Sequence, residues 1–331
     1  MQARSISILL LAVALSGPAA AADDDGCPSF LPDLSPDCER QVRPEGSVMP
    51  MSFPYIFEDP YIQSGLNFVG IWHEFPSKSV FSSGQLGVMA LQIRLALTEK
   101  LAFIATKDGL GFLDPDRASP IPHSTGLFNM TMGFKYAAWE WQDENRSAII
   151  TPSLRYEIPL GQRNMFQGHG SGLLIPAVTG AYQHGGWHVI LGLGGHAPLE
   201  NDDYSSNFFW NLHADHSFEL AGSSLETLPF THIAPFIELN AIHWTSSGNG
   251  SRWVKTKGGR AQIRVAPGFE GVDVVNLGNR NVTGNDYVTM AWGVRLPMNS
   301  QLSLGLSYER ALSNRKDLTE QRLTTMVTWE M

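Results

Sequence analysis

The chain has 331 residues, of which 43% are hydrophobic, a mean hydropathy of -0.10 and a formal charge of -9 at pH 7. That charge argues against nucleic acid or an anionic lipid surface as a partner, and no run beyond the first 22 residues approaches the ~18 apolar residues of a membrane helix. What remains is a secreted globular protein or a barrel whose apolar residues recur at every second position, and 32 glycines with 10% aromatics lean toward β-structure.

In chain order, Arg4, the apolar run from Ile6 to Leu15 and Ala20-Ala21-Ala22 read as a secretory signal, so the mature chain is expected to begin at Asp23. Residues 23 to 62 differ from everything after them. Pro28, Pro32, Pro36, Pro44, Pro50, Pro54 and Pro60 interrupt any regular element. Cys27 and Cys38 are the only cysteines, and in an oxidising periplasm a disulfide between them is the simplest expectation, worth ~3 kcal/mol. The segment reads as an extended periplasmic leader, or as a plug tucked into a barrel. The leader is the preferred reading; the plug is the alternative that Met49, Met51, Phe53, Tyr55, Ile56 and Phe57 suggest, because a disordered tail seldom carries so much apolar surface.

From about Leu66 onward, alternating runs are separated by Gly, Pro, Asn and Asp clusters. Met89, Leu91, Ile93, Leu95 and Leu97 oppose Gln92 and Arg94. Phe128 to Ala138 oppose Asn129, Thr131, Gly133 and Lys135, and Ile150 to Ile158 oppose Thr151, Ser153, Arg155 and Glu157. Trp187, Val189, Leu191 and Leu193 oppose His188, Gly192, Gly194 and His196; Phe208, Trp210 and Leu212 oppose Asn211, His213, Asp215 and Ser217. The same rule sets Ile237 against Glu238 and Asn240, Ile263 against Arg264, Trp292 against Arg295, and Leu306 against Glu309. Segments 66 to 74 and 101 to 107 are strand-like but ambiguous in face. The intervening stretches 109 to 126, 197 to 206, 245 to 258 and 271 to 284 read as polar loops.

The last run, Leu323 to Met331, places Leu323, Thr325, Val327, Trp329 and Met331 on one face, as bacterial outer-membrane barrels usually finish, although Met331 stands where such barrels normally carry Phe. A soluble sandwich also alternates, but Arg, Lys and Glu in mid-strand beside glycines would make poor core residues and natural lumen residues. The expected fold is therefore all-β, an antiparallel transmembrane up-and-down barrel over 63 to 331 with about 12 strands.

Several strings, among them Leu91-Gln92-Ile93-Arg94-Leu95-Ala96-Leu97, Ile104-Ala105-Thr106-Lys107-Asp108-Gly109, Gly133-Phe134-Lys135-Tyr136, Arg155-Tyr156-Glu157-Ile158-Pro159-Leu160-Gly161 and Gly305-Leu306-Ser307-Tyr308-Glu309, resemble the bacterial outer-membrane barrels grouped with the phenol meta-cleavage pathway family, described as transporters. The likeness covers roughly 85 to 331. It implies an outer-membrane channel for small solutes, hydrophobic or aromatic ones among them. The expected partners are outer-membrane lipid, small-molecule solutes and, through the C-terminal strand, the barrel-assembly machinery.

The inward set would carry transport: Arg94, Lys135, Arg155 and Glu157 from early strands, Glu238, Asn240 and Glu309 from later ones, with Arg264, Arg295 and Arg322 between. If these charges pair across strands they stiffen a narrow pore; if they segregate, opposed walls bias ion passage. Pairing is the preferred reading. His188, His196, His213 and Asp215 could surround a cation, but hydrogen bonding is the simpler use, so neither a metal nor any other cofactor is expected. Two other classes stay open. One is a lipid hydrolase using His169 and Ser171, within a glycine-dense turn with no orienting partner in view; the other is a passive structural or adhesion barrel. No catalytic residue is expected under the preferred reading.

Overall fold

The computed structural model describes residues 43–331 apart from 45, 80, 169, 200–204, 224, 226, 248–250, 265–270, 273–275, 278–282 and 315–318. Twelve strands close into one antiparallel barrel. They are β1 (Gly65–Glu74), β2 (Gln85–Ala96), β3 (Leu101–Lys107, resuming as Leu110–Asp114) and β4 (Ser124–Leu127, Met130–Tyr136 and Trp139–Asp143). Next come β5 (Arg146–Ile158), β6 (Leu173–His184), β7 (Trp187–Pro198) and β8 (Ser206–His216), then β9 (His232–Ser246), β10 (Asp286–Pro297), β11 (Leu302–Ala311) and β12 (Gln321–Glu330). Each strand pairs with its neighbours in sequence, and β1 closes the ring: Gly65 faces Arg94 of β2 on one side and Glu330 of β12 on the other. Closure leaves no open strand edge, which backbone in lipid requires.

The alternation of the sequence becomes an inverted burial pattern. Phe68 is 53% exposed, Leu191 47% and Trp292 46%, whereas Arg155, Arg295, Arg322 and Lys135 are each 1% exposed. In a soluble sandwich the two sets would trade places. An apolar belt outside and ionised groups inside make the ring a transmembrane barrel. Among the described residues, no helix is long and apolar enough to cross a membrane.

Short connections at 97–100, 144–145, 185–186 and 298–301, and one longer connection at 217–231, gather at one end, together with the start of β1 and the end of β12. Among the described residues, the opposite end carries no such two- to four-residue turns, and its longest connection is 247–285. Two expectations are corrected there. The segment around Ile263, expected as a barrel strand, instead pairs as Gly259–Arg264 with Ser251–Thr256 in a hairpin apart from the barrel sheet. Arg264 is therefore not on a barrel strand: its alternation satisfied the period of two, but so does any hairpin. The stretch 109 to 126, read as a loop, contributes Leu110–Asp114 and Ser124–Leu127, which extend β3 and β4 beyond the barrel's middle.

The break in β3 has a local cause. Gly109 adopts φ 116, and a Cβ there would lie 2.5 Å from the Met89 carbonyl oxygen, so a side chain is excluded. The ladder partner missing at this break is supplied by Asp108, whose carboxylate accepts from the Leu91 N–H at 3.0 Å.

Candidate functional site: a filled lumen

The interior of the ring is occupied by the chain's own residues 47–62. Met51, Phe53 and Tyr61 are fully buried, and Phe53, Tyr55, Ile56, Phe57, Tyr61 and Ile62 form one apolar cluster with inward side chains such as Ile190, Phe209 and Trp244. The inner face is thus amphipathic, whereas the sequence suggested a polar one. Inward glycines make the room. A Cβ at Gly192 would stand 3.2 Å from the Phe57 ring, and one at Gly305 would stand 2.4 Å from Met51 Sδ, closer than real side-chain carbons approach. A larger residue at either position would press on the segment, and Phe57 or Met51 would have to shift.

The segment and the wall also satisfy one another's polar groups. Arg94 grips Glu58 with two bonds, Nε to Oε1 at 2.7 Å and Nη2 to Oε2 at 2.8 Å. Lys135 Nζ donates to the same carboxylate at 3.0 Å and to the Asp59 carbonyl at 2.7 Å. Arg155 donates to the carbonyls of Tyr55 at 2.7 Å and Ile56 at 2.9 Å. These three cations come from β2, β4 and β5, one side of the barrel.

Across the lumen, β9 supplies Glu238, whose carboxylate accepts from the main-chain N–H groups of Met51 at 2.8 Å and Ser52 at 2.7 Å, and from the Ser52 hydroxyl. Asn240 donates to Ser52 Oγ at 2.8 Å and accepts from Asn211 at 2.6 Å. Aromatic rings of the segment lie against further cations, with the Arg322 guanidinium 5.1 Å from the Phe53 centroid and Lys107 Nζ 5.6 Å from that of Tyr55.

Burial alone would push the Glu58 carboxyl up, but the charges of Arg94 and Lys135 outweigh that cost and hold it well below the usual carboxylate range. Glu58 lies on the lumen segment and not on a membrane-spanning strand, so its ionisation belongs to the contact between segment and wall.

The remaining sequence-derived candidates fall in three places. Arg322 and Glu309 pair across β11 and β12 at 3.0 Å, and His213 meets Glu238 across β8 and β9 at 2.7 Å. Glu157 bonds Lys107 at 2.9 Å and Asn129 at 2.7 Å on the inner face of β3 to β5. Arg295 donates to Thr328 at 2.9 Å near the short-turn end. Cys27, Cys38 and His169 lie outside the described residues. Ser171 falls in a turn where Gly168, Gly170 and Gly172 adopt φ 67, 62 and 86, so it is not on a strand.

Sequence reasoning missed Glu58, Asp59, Lys107 and Tyr61. The acidic pair was visible amid the aromatics of 49 to 57, but it reads as a solvated turn until the facing cations are known. At the short-turn end, a cavity of about 530 Å³ opens between segment and wall, lined by Arg43, Met49, His232, Arg295 and Glu330 among others. Arg43 closes its side with ion pairs to Asp59 at 2.9 Å and Glu330 at 3.4 Å.

Together these features define a class: a closed twelve-stranded transmembrane barrel whose charged lumen is filled from its own N-terminal side. No family model matches the sequence, and comparison with curated protein sequences finds no match. Among solved structures, an outer-membrane channel from Pseudomonas putida F1 matches with a TM-score of 0.51 at 14% identity, over 86% of this chain and 100% of that one. The KdgM porin matches with a TM-score of 0.40 at 9% identity, over 80% and 99%. OprD of Pseudomonas aeruginosa matches at 0.36 and 8%, over 86% and 99%. At these identities the first likeness is one of fold, and nothing rests on the other two.

Proposed function

We propose that this protein is an outer-membrane channel for small solutes, held closed by residues 43–62. The observation that carries the reading is the reciprocity of the lumen: the ionised wall groups Arg94, Lys135, Arg155 and Glu238 all find partners on one segment that belongs to no barrel strand. A purely structural barrel would more simply fill its interior from the strands themselves, as eight-stranded barrels do. Twelve strands enclose more space than side chains fill, and the segment takes up the difference.

With the segment withdrawn, β2, β4 and β5 would face the lumen with Arg94, Lys135 and Arg155, and β8 and β9 with Asp215 and Glu238. Such opposed walls impose a field across the path and bias the passage of ions. The cavity of about 530 Å³ at the short-turn end is of a size that suits small molecules. That end is assigned to the periplasm, where such barrels keep their short turns. The transport path is proposed to run past Arg94, Lys135, Arg155, Glu157, Glu238, Asn240, Arg295, Glu309 and Arg322, and the resemblance of 85 to 331 to transporter barrels supports hydrophobic or aromatic solutes.

Planar-bilayer recording tests the reading. The full chain should show small or rare conductance, and a variant lacking 43–62 should show large, long-lived steps. Equal conductance in the two proteins would end the proposal.

A further inference from the structure

One cluster on the wall exceeds what holding the segment requires. His188 of β7 and His213 and Asp215 of β8 are all buried, and one donor atom from each lies within 4.8 Å of the others. His188 Nδ1 and His213 Nε2 both meet Asp215 Oδ2 at 2.8 Å. The other ring nitrogen of each histidine is already held from behind. His213 Nδ1 meets Glu238 Oε1 at 2.7 Å, and His188 Nε2 lies 3.4 Å from the Tyr61 hydroxyl. The second carboxylate oxygen, Asp215 Oδ1, is buried and makes no hydrogen bond.

We infer that His188, His213 and Asp215 form a binding site for a divalent transition-metal cation of the zinc class. Two imidazoles and a carboxylate are a common three-ligand set for zinc, with the fourth position left to water or a solute. A histidine ligand usually turns its other nitrogen to a carboxylate or similar acceptor, which fixes the ring and raises its basicity. Glu238 stands in that relation to His213. The idle Asp215 Oδ1 is a buried acceptor that a cation would satisfy.

The charges also favour it. Without a metal, both ring nitrogens of His213 face carboxylate oxygens; with both protonated, His213, Asp215 and Glu238 together carry one net negative charge. Binding removes the proton from His213 Nε2 and the one from His188 Nδ1. One of them passes to His188 Nε2, which then donates to Tyr61 Oη, and the other leaves to solvent. The dication thereby brings the group to neutrality. Zinc–nitrogen bonds are ~2.0–2.1 Å, so the two ring nitrogens, each 2.8 Å from Asp215 Oδ2, would draw slightly away from that oxygen to admit the ion between them. Because Glu238 also holds Met51 and Ser52, the metal would share a residue with the lumen segment. The site does not depend on whether the lumen conducts.

The test is zinc titration of the refolded full chain in detergent against a chromophoric chelator, with cobalt(II) absorption as a second readout. One zinc per chain and strong tetrahedral cobalt bands are expected. Glu238→Gln should weaken affinity about 10–100-fold, and His213→Ala or His188→Ala by more. Asp215→Asn keeps the side-chain shape and should lose the site even if an alanine variant fails to fold, as judged by heat-dependent gel migration. His243→Ala, at an exposed position, should bind as the parent does. No zinc bound by the parent chain, or one zinc retained by Asp215→Asn with unchanged cobalt bands, overturns the proposal.

Discussion

On one side of the lumen, β2, β4 and β5 offer cations, and the segment answers with the Glu58 side chain and with carbonyl oxygens. On the other side, β9 offers a carboxylate, and the segment answers with the main-chain N–H groups of Met51 and Ser52. The charged part of the first contact, at Glu58, is written in the segment's sequence and one substitution can erase it. The second is written in its backbone shape and survives most substitutions on the segment. A buried cation left without its carboxylate is costly, whereas a backbone N–H can find another acceptor as the segment shifts. The cationic wall should therefore dominate closure.

Glu58→Ala breaks this asymmetry most severely. It leaves Arg94 and Lys135 buried without their shared carboxylate, a loss of about 3–5 kcal/mol for the closed state, or on the order of 10²–10⁴ in the balance of open and closed channels. Single-channel open probability reads this directly. Glu238→Gln attacks the opposite wall, where one charged acceptor is replaced by an amide that presents N–H to N–H. About 1.5–3 kcal/mol should be lost, a shift on the order of 10–100-fold. Should Glu238→Gln open the channel more than Glu58→Ala, the ranking of the two walls is wrong.

Acidification sharpens the comparison further. The Glu58 carboxyl is held below its ordinary value, so its contribution is fully present above about pH 4.5 and is lost only as pH falls below that. Conductance at pH 7 and pH 5 should match, with opening only under stronger acid. Opening already at pH 5 would mean that Glu58 is not the controlling group.

The barrel itself was legible in the residues. Leu191 and Leu193 against His188 and Gly192, or Leu306 against Glu309, predict strands with one oily and one wet face, and the structure shows that inversion. The inward glycines were also visible, though their purpose was not, since Gly192 and Gly305 become intelligible only with Phe57 and Met51 beside them. Arg264 shows the limit of local alternation: its run alternates as well as any, yet pairs in a separate hairpin.

Local periodicity determined which side chains share a face, because a strand's geometry repeats every two residues whatever surrounds it. Partners more than a hundred positions apart, such as Ser52 and Glu238, were decided only by closure of the ring. Closure sets register and distance together, and no local pattern encodes either. That is why Arg94 and Lys135 could be assigned to the lumen from the sequence, while Glu58, the residue that holds them, emerged only from the assembled barrel.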